Sequence, residues 1–82
     1  MSANTFGRRL RVARAAAGLS CAELGQRVGV SAQSINKMEM DKMMPRSSVF
    51  VAICEQCRVS MDWMMDAREF DFITRAAPKT QP

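Results

Sequence analysis

The side chains best suited to chemistry in this 82-residue chain lie in one short run, Ser31-Ala32-Gln33-Ser34-Ile35-Asn36-Lys37. Gln33 and Asn36 carry primary amides that donate and accept hydrogen bonds in one plane, and Lys37 is a compact cation with three donors. Groups of this kind recognise a partner; they do not cleave or transfer. The rest of the chain offers no catalytic apparatus to join them. It has no His, no nucleophile–base pair and no Gly-rich phosphate loop. The three cysteines, Cys21, Cys54 and Cys57, are odd in number and too few for a zinc site without histidine. They read as small hydrophobes in a reduced intracellular protein. Neither an enzyme nor a cofactor or metal is expected.

The elements that must position that run are legible on both sides of it. Ser20 can cap a helix, and Glu23 three residues later completes a capping box. Gly29 ends this helix where a left-handed backbone suits a residue without Cβ. After Val30 alone, Ser31 caps the next helix. Leu24, Val28, Val30, Ile35 and Met38 fall where the two helices would face each other and a third, and Gly25 is small enough for close approach. The pattern is a helix-turn-helix, with the second helix offered to a DNA major groove.

Composition bounds the rest. At this length there is one small domain, and a hydrophobic fraction of 48% is ordinary for a globular fold. Aromatic residues make up only 6%, so the core must be aliphatic and rich in Met, which occupies 8 positions. No stretch approaches the ~18 apolar residues of a membrane span and no signal-peptide core follows the polar start, so a cytoplasmic, nucleoid-associated protein with no membrane partner is expected. The net charge is +4. Residues 1–46 hold eight Lys/Arg against three acids, whereas residues 47–82 hold four against five. The positive excess therefore lies on the half that carries the helix-turn-helix, which suits a polyphosphate partner or, without one, a solvated basic face.

The remaining pattern predicts an all-α fold. Asn4 or Thr5 starts helix one, with Phe6, Leu10, Ala13 and Ala17 on one stripe, Arg8, Arg9 and Arg11 largely opposite, and Gly18 at its end. Helix two spans about Cys21–Val28 and helix three about Ala32–Met40. Asp41-Lys42-Met43-Met44-Pro45 is a loop, since Asp tolerates left-handed geometry and Pro45 denies Met44 a helical conformation. Helix four runs about Arg46–Cys57, and Ser60 caps a short fifth helix over about Met61–Arg68. Beyond Phe72 the pattern fades. Residues 1–72 are expected to form the domain and 73–82 a flexible tail.

Gly7-Arg8-Arg9-Leu10-Arg11, Arg14, Gly18-Leu19-Ser20, Glu23-Leu24, Gly29-Val30-Ser31, Ile35, Glu39, Pro45, Ile53 and Val59-Ser60-Met61-Asp62-Trp63 together resemble the lambda-repressor-like (XRE) family of bacterial and phage regulators. The resemblance covers about residues 6–66 and implies a compact five-helix DNA-binding domain with its helix-turn-helix at helices two and three. The run Met43-Met44-Pro45-Arg46-Ser47-Ser48 resembles modules that precede a metallopeptidase-like domain in longer relatives, although no His-Glu-x-x-His motif is present here. The chain reads as a stand-alone regulator or as the amino-terminal piece of a longer one.

The resemblance also implies roles. Ser31, Ala32, Gln33, Asn36 and Lys37 would face base edges, with Gln33 foremost because its amide matches adenine N6 and N7 together. Ser20, Cys21, Ser34, Lys42 and Arg46 would hold phosphates, with Arg46 also near the minor groove and Arg11 and Arg9 as weaker candidates on helix one. The family often has Gln where Cys21 stands, and Gly where Asp41 stands, so an acid there would hold the loop off the duplex. Arg14 and Glu39 would pair, tying helix one to the end of helix three. Arg58, Val59, Ser60 and Met61 would form a dimer seam, with Trp63 there or anchoring the core edge. Met38, Met40, Met43, Met44, Met61, Met64 and Met65 exceed what so small a core can hide, so part of this set would remain as an exposed surface for a protein partner.

The leading expectation is a sequence-specific, double-stranded DNA-binding transcriptional regulator, most simply a repressor bound to a pseudo-palindromic operator as a homodimer. The alternative from another class is an antitoxin or antirepressor that docks a protein through its Met-rich surface.

Overall fold

Capping side chains explain where the helices begin. In the computed structural model, which describes residues 5–65, Thr5 accepts a hydrogen bond from the Arg8 amide and opens α1, Phe6–Ala16. Ser20 opens α2, Cys21–Val28, with a complete capping box: its Oγ accepts from the Glu23 amide at 3.0 Å while Glu23 Oε1 accepts from the Ser20 amide at 2.8 Å. Ser31 opens α3, Ala32–Glu39, and Ser60 opens α5, Met61–Met64. The fourth helix, α4, Ser47–Cys57, starts after Arg46 without any side-chain cap. Among the described residues there are five helices and no strand.

The apolar stripe of each helix meets in one core. Phe6, Leu10 and Ala13 come from α1, Leu24 from α2, and Ile35 and Met38 from α3. Ile53, Cys54 and Cys57 come from α4, and Met64 from α5. Val28 and Val30 are half-buried against this cluster. The Phe6 and Phe50 rings meet at 6.0 Å between centroids. Each fully buried aliphatic side chain contributes about 1.5–3 kcal/mol, so the core alone justifies α3 being held firmly although it has only eight residues. The three cysteines are free thiols, and burial pushes the Cys54 and Cys57 thiols up from their ordinary range.

Several expected boundaries shift. Ala17 belongs to the exposed end of α1 rather than its apolar stripe, because Gly18 at φ 74° turns the chain immediately after it. The end of α3 falls at Glu39, with Met40 as its cap, and Arg46 precedes α4 rather than opening it as a helical residue. Helix five stops at Met64, because Met65 is already extended. Residues 66–68 of its expected span, and the expected division between residues 72 and 73, lie outside the described residues.

Trp63 is the clearest correction. It does not anchor the core: it is 38% exposed, and Met64 beside it takes the buried position at 0%. In a helix this short only one of two adjacent side chains can face inward. Trp63 is instead tied to α1 from outside, where the Arg9 guanidinium lies 5.3 Å from its ring centroid and donates to its backbone oxygen at 2.7 Å. Arg9 is thereby engaged within the fold through Nη1 and its guanidinium face.

Candidate nucleic-acid interface

The turn between α2 and α3 is built from close backbone approach. Gly29 adopts φ 84°, and the amides of Gly29 and Val30 both donate to the Gly25 carbonyl, at 2.8 and 2.9 Å. A Cβ added at Gly25 would stand 2.6 Å from the Val30 oxygen, so no larger residue fits without moving backbone. Leu24, Ile35 and Met38 close the space between the helices. The outer side of α3 is fixed by the burial of its inner side.

On that outer side Ala32, Gln33, Asn36 and Lys37 are all exposed, as is Ser31 at the cap. Among the described residues no hydrogen bond engages the Gln33 or Lys37 side chain. Asn36 Nδ2 points one turn onward to Met40 Sδ at 3.7 Å. Ser34 is half-buried, and its hydroxyl is held by the Ser31 hydroxyl at 3.1 Å. Ser31 and Ser34 therefore shape the helix start, while Gln33 and Lys37 project outward.

Ion pairing decides which charges are left over. Arg14 donates from Nε to Glu39 Oε2 and from Nη2 to Glu39 Oε1 at 3.2 Å, a two-pronged bond between α1 and the end of α3. Arg14 Nη1 also donates to the Leu19 carbonyl at 2.8 Å. The Glu39 carboxylate holds the Arg14 guanidinium still more firmly protonated than usual. Cys21 is half-buried with its thiol 3.9 Å from Glu39 Oε2, so it leans on this pair from α2.

Asp41 behaves differently from expectation. Its φ is 59°, the left-handed geometry read from sequence, but its carboxylate is engaged: Oδ1 accepts from the Gly7 amide at 2.8 Å. Sequence reasoning missed this bond. Its one visible signal is that α1 has no acid in its own first turn. With Glu39 bound to Arg14 and Asp41 turned toward α1, the exposed cations Lys37, Lys42 and Arg46 face solvent around the second half of the motif.

The other expected positions are dispersed. Ser20 and Arg11 are exposed on α2's start and on α1. Arg58 adopts φ 59° and ends α4, a left-handed cap that sequence reasoning did not foresee. It joins Val59, Ser60 and Met61 around a groove completed by Val51, Cys54 and Glu55. The exposed methionines fall into more than one group, with Met43 and Met44 together beside Pro45 and Arg46. Met61 lies in that groove, Met44 borders another with Phe50 and Met65, and Met38 and Met64 are buried. No group of His, Cys, Asp and Glu among the described residues could hold a metal ion, and no described helix is long and apolar enough to cross a membrane.

This geometry matches known proteins. A family model described as a helix-turn-helix domain fits residues 5–64. Among solved structures, the P22 c2 repressor in complex with a synthetic operator superposes with a TM-score of 0.72 at 27% identity, covering 76% of this chain and 94% of that one. The solution structure of the DNA-binding domain of the P22 c2 repressor gives 0.72 at 28% identity, covering 78% of this chain and 84% of that one. A comparison with curated proteins gives no match. The family is one of DNA-binding regulators rather than enzymes. With capping, turn and core all agreeing, the chain belongs to the helix-turn-helix domain family in its lambda-repressor-like form.

Proposed function

We propose that this protein is a sequence-specific double-stranded DNA-binding regulator that reads base edges with the exposed side of α3. The observation that carries the reading is the pairing pattern around that helix. Glu39 and Asp41 are both bound to α1 partners, while Gln33 and Lys37 project without partners among the described residues and Lys42 and Arg46 follow them in the chain. An α-helix presenting such a surface fits the major groove. Gln33 pairs with adenine N6 and N7. Ser31, Ala32, Asn36 and Lys37 line the same edge. Ser20, the amides of Cys21 and Ala22, Lys42, Arg46 and Arg11 hold phosphates, and Ser34 supports the start of α3.

Two copies meet at the α4–α5 corner through Arg58, Val59, Ser60 and Met61, with Trp63 at the margin. A single α3 makes few base contacts, so pairing two of them supplies useful affinity and sets half-sites one helical turn apart, ~34–36 Å. Occupying such an operator blocks polymerase, the simplest form of repression. The similarity to the P22 c2 repressor bound to its synthetic operator supports this reading.

The test is selection of bound sites from a random duplex pool at moderate salt. A recovered motif with two-fold symmetry and half-sites about ten base pairs apart supports the full proposal. Recovery of no motif, with a protein partner captured in equal amount through the surface around Met40, Met43 and Met44, favours the antitoxin-like alternative instead.

A further inference from the structure

We propose that Asp41 is a positioning residue for recognition by α3, acting as one clasp that ends α3 and caps α1 together. The inference rests on the DNA-binding reading above and adds a residue to it.

The backbone of Asp41 closes α3. The Lys42 amide reaches back to the Lys37 carbonyl at 2.9 Å and the Asp41 amide to the Met38 carbonyl at 3.1 Å, with Asp41 itself left-handed. This is a Schellman-type ending, which normally falls to Gly because a side chain at that φ is strained. Here the position holds an acid, and its side chain has a task. Asp41 Oδ1 accepts from the Gly7 amide at 2.8 Å, one of the donors that the first turn of α1 cannot satisfy internally. Thr5 satisfies a second, the Arg8 amide. The carboxylate also supplies the negative charge that the α1 amino end lacks in its own first turn.

Gly7 makes the contact possible. A Cβ there would stand 2.5 Å from the Glu39 oxygen and 2.7 Å from the Met38 oxygen, so α1 rests directly on the last turn of α3. Together with the Arg14–Glu39 bond farther along α1, the clasp gives α3 two fixed points on one rigid rod. Two points define direction where one permits pivoting. The clasp also fixes where Lys42, the next residue, leaves the helix.

The test compares Asp41→Asn, which keeps both an acceptor oxygen and a side chain tolerant of left-handed backbone, with Asp41→Gly, which keeps the backbone geometry and removes the acceptor. Glycine relieves strain at φ 59°, so the fold survives the second change. The probes are the duplex recovered by selection and a scrambled duplex of equal length. Asp41→Gly is expected to lower the ratio of selected to scrambled affinity by roughly fivefold, about the effect of one hydrogen bond, while Asp41→Asn retains it. Both variants lose the same negative charge, so a purely electrostatic role would raise affinity for both duplexes equally in both variants and leave the ratio unchanged. That result overturns the proposal.

Amide hydrogen exchange at Gly7 separates this failure from failure of the DNA reading. Protection retained in Asp41→Asn and lost in Asp41→Gly establishes the clasp whatever the duplex results. Equal protection in all three proteins refutes it. If the unaltered protein prefers no sequence, the DNA reading and the positioning role fall together.

Discussion

At the scale of single residues, the division of labour on α3 is between side chains that are bound and side chains that are not. Ser31 and Ser34 hold each other, Glu39 is taken by Arg14, and Gln33 is left with both an amide donor and an acceptor facing solvent. A free amide at the first exposed turn discriminates between bases by pairing with two atoms of one edge. Replacing Gln33 with Ala should therefore cost ~1–3 kcal/mol on a selected duplex and almost nothing on a scrambled one, measured by fluorescence anisotropy on both. Lys42 is a phosphate contact in the same proposal. Lys42→Ala should weaken every duplex alike and reduce the slope of log affinity against log salt by roughly one. Equal losses on both duplexes for Gln33→Ala would remove it from base reading.

At the scale of elements, most of what positions α3 was legible in the sequence, because capping and turn chemistry are local. Ser20, Glu23, Gly29 and Ser31 each fix a backbone conformation with partners no more than five residues away, and α2 matches its expected limits. The missed contacts are long-range, whereas the left-handed cap at Arg58 is a local miss. Arg9 on Trp63 spans 54 residues and Asp41 on Gly7 spans 34, and no periodicity encodes which distant donor an acid will find. Trp63 was misplaced for the same reason: its size suggests burial, but Met64 holds the inward register. Glu39→Ala leaves the Arg14 guanidinium half-buried beside the Leu19 carbonyl without its carboxylate, and should destabilise the domain by about 3 kcal/mol in urea unfolding. The capping box responds to acid. The Ser20 amide, followed by its hydroxyl, holds Glu23 below its ordinary carboxylate value of 4.5. A depressed folded value means the contribution is complete above 4.5 and is lost as pH falls through the lower, folded value. Helix content followed by circular dichroism should accordingly show an acid-side loss that Glu23→Gln lacks, and identical profiles would contradict the sign.

At the scale of the molecule, charge and shape point the same way. The eight cations of residues 1–46 are not spent evenly: Arg14 and Arg9 are consumed inside the fold, and Arg27 reaches Gln56 on α4 at 3.4 Å. Among the described residues, the cations left exposed on α3 and just after it are Lys37, Lys42 and Arg46, too few to bind tightly by themselves and well placed to align a reading helix. The core on the opposite side of α3 makes that helix rigid, and rigid presentation is what converts a few polar side chains into discrimination between sequences. The most direct measurement is a titration of the ¹⁵N-labelled protein with the selected duplex, followed through backbone amide shifts. The largest changes are expected at Ser20–Ala22, Ser31–Lys37 and Lys42–Arg46, with the buried turns of α1 and α4 nearly still. Changes concentrated instead around Val51, Glu55 and Met61, with the amides of Ser31–Lys37 unmoved, would contradict the assignment of α3 as the reading helix.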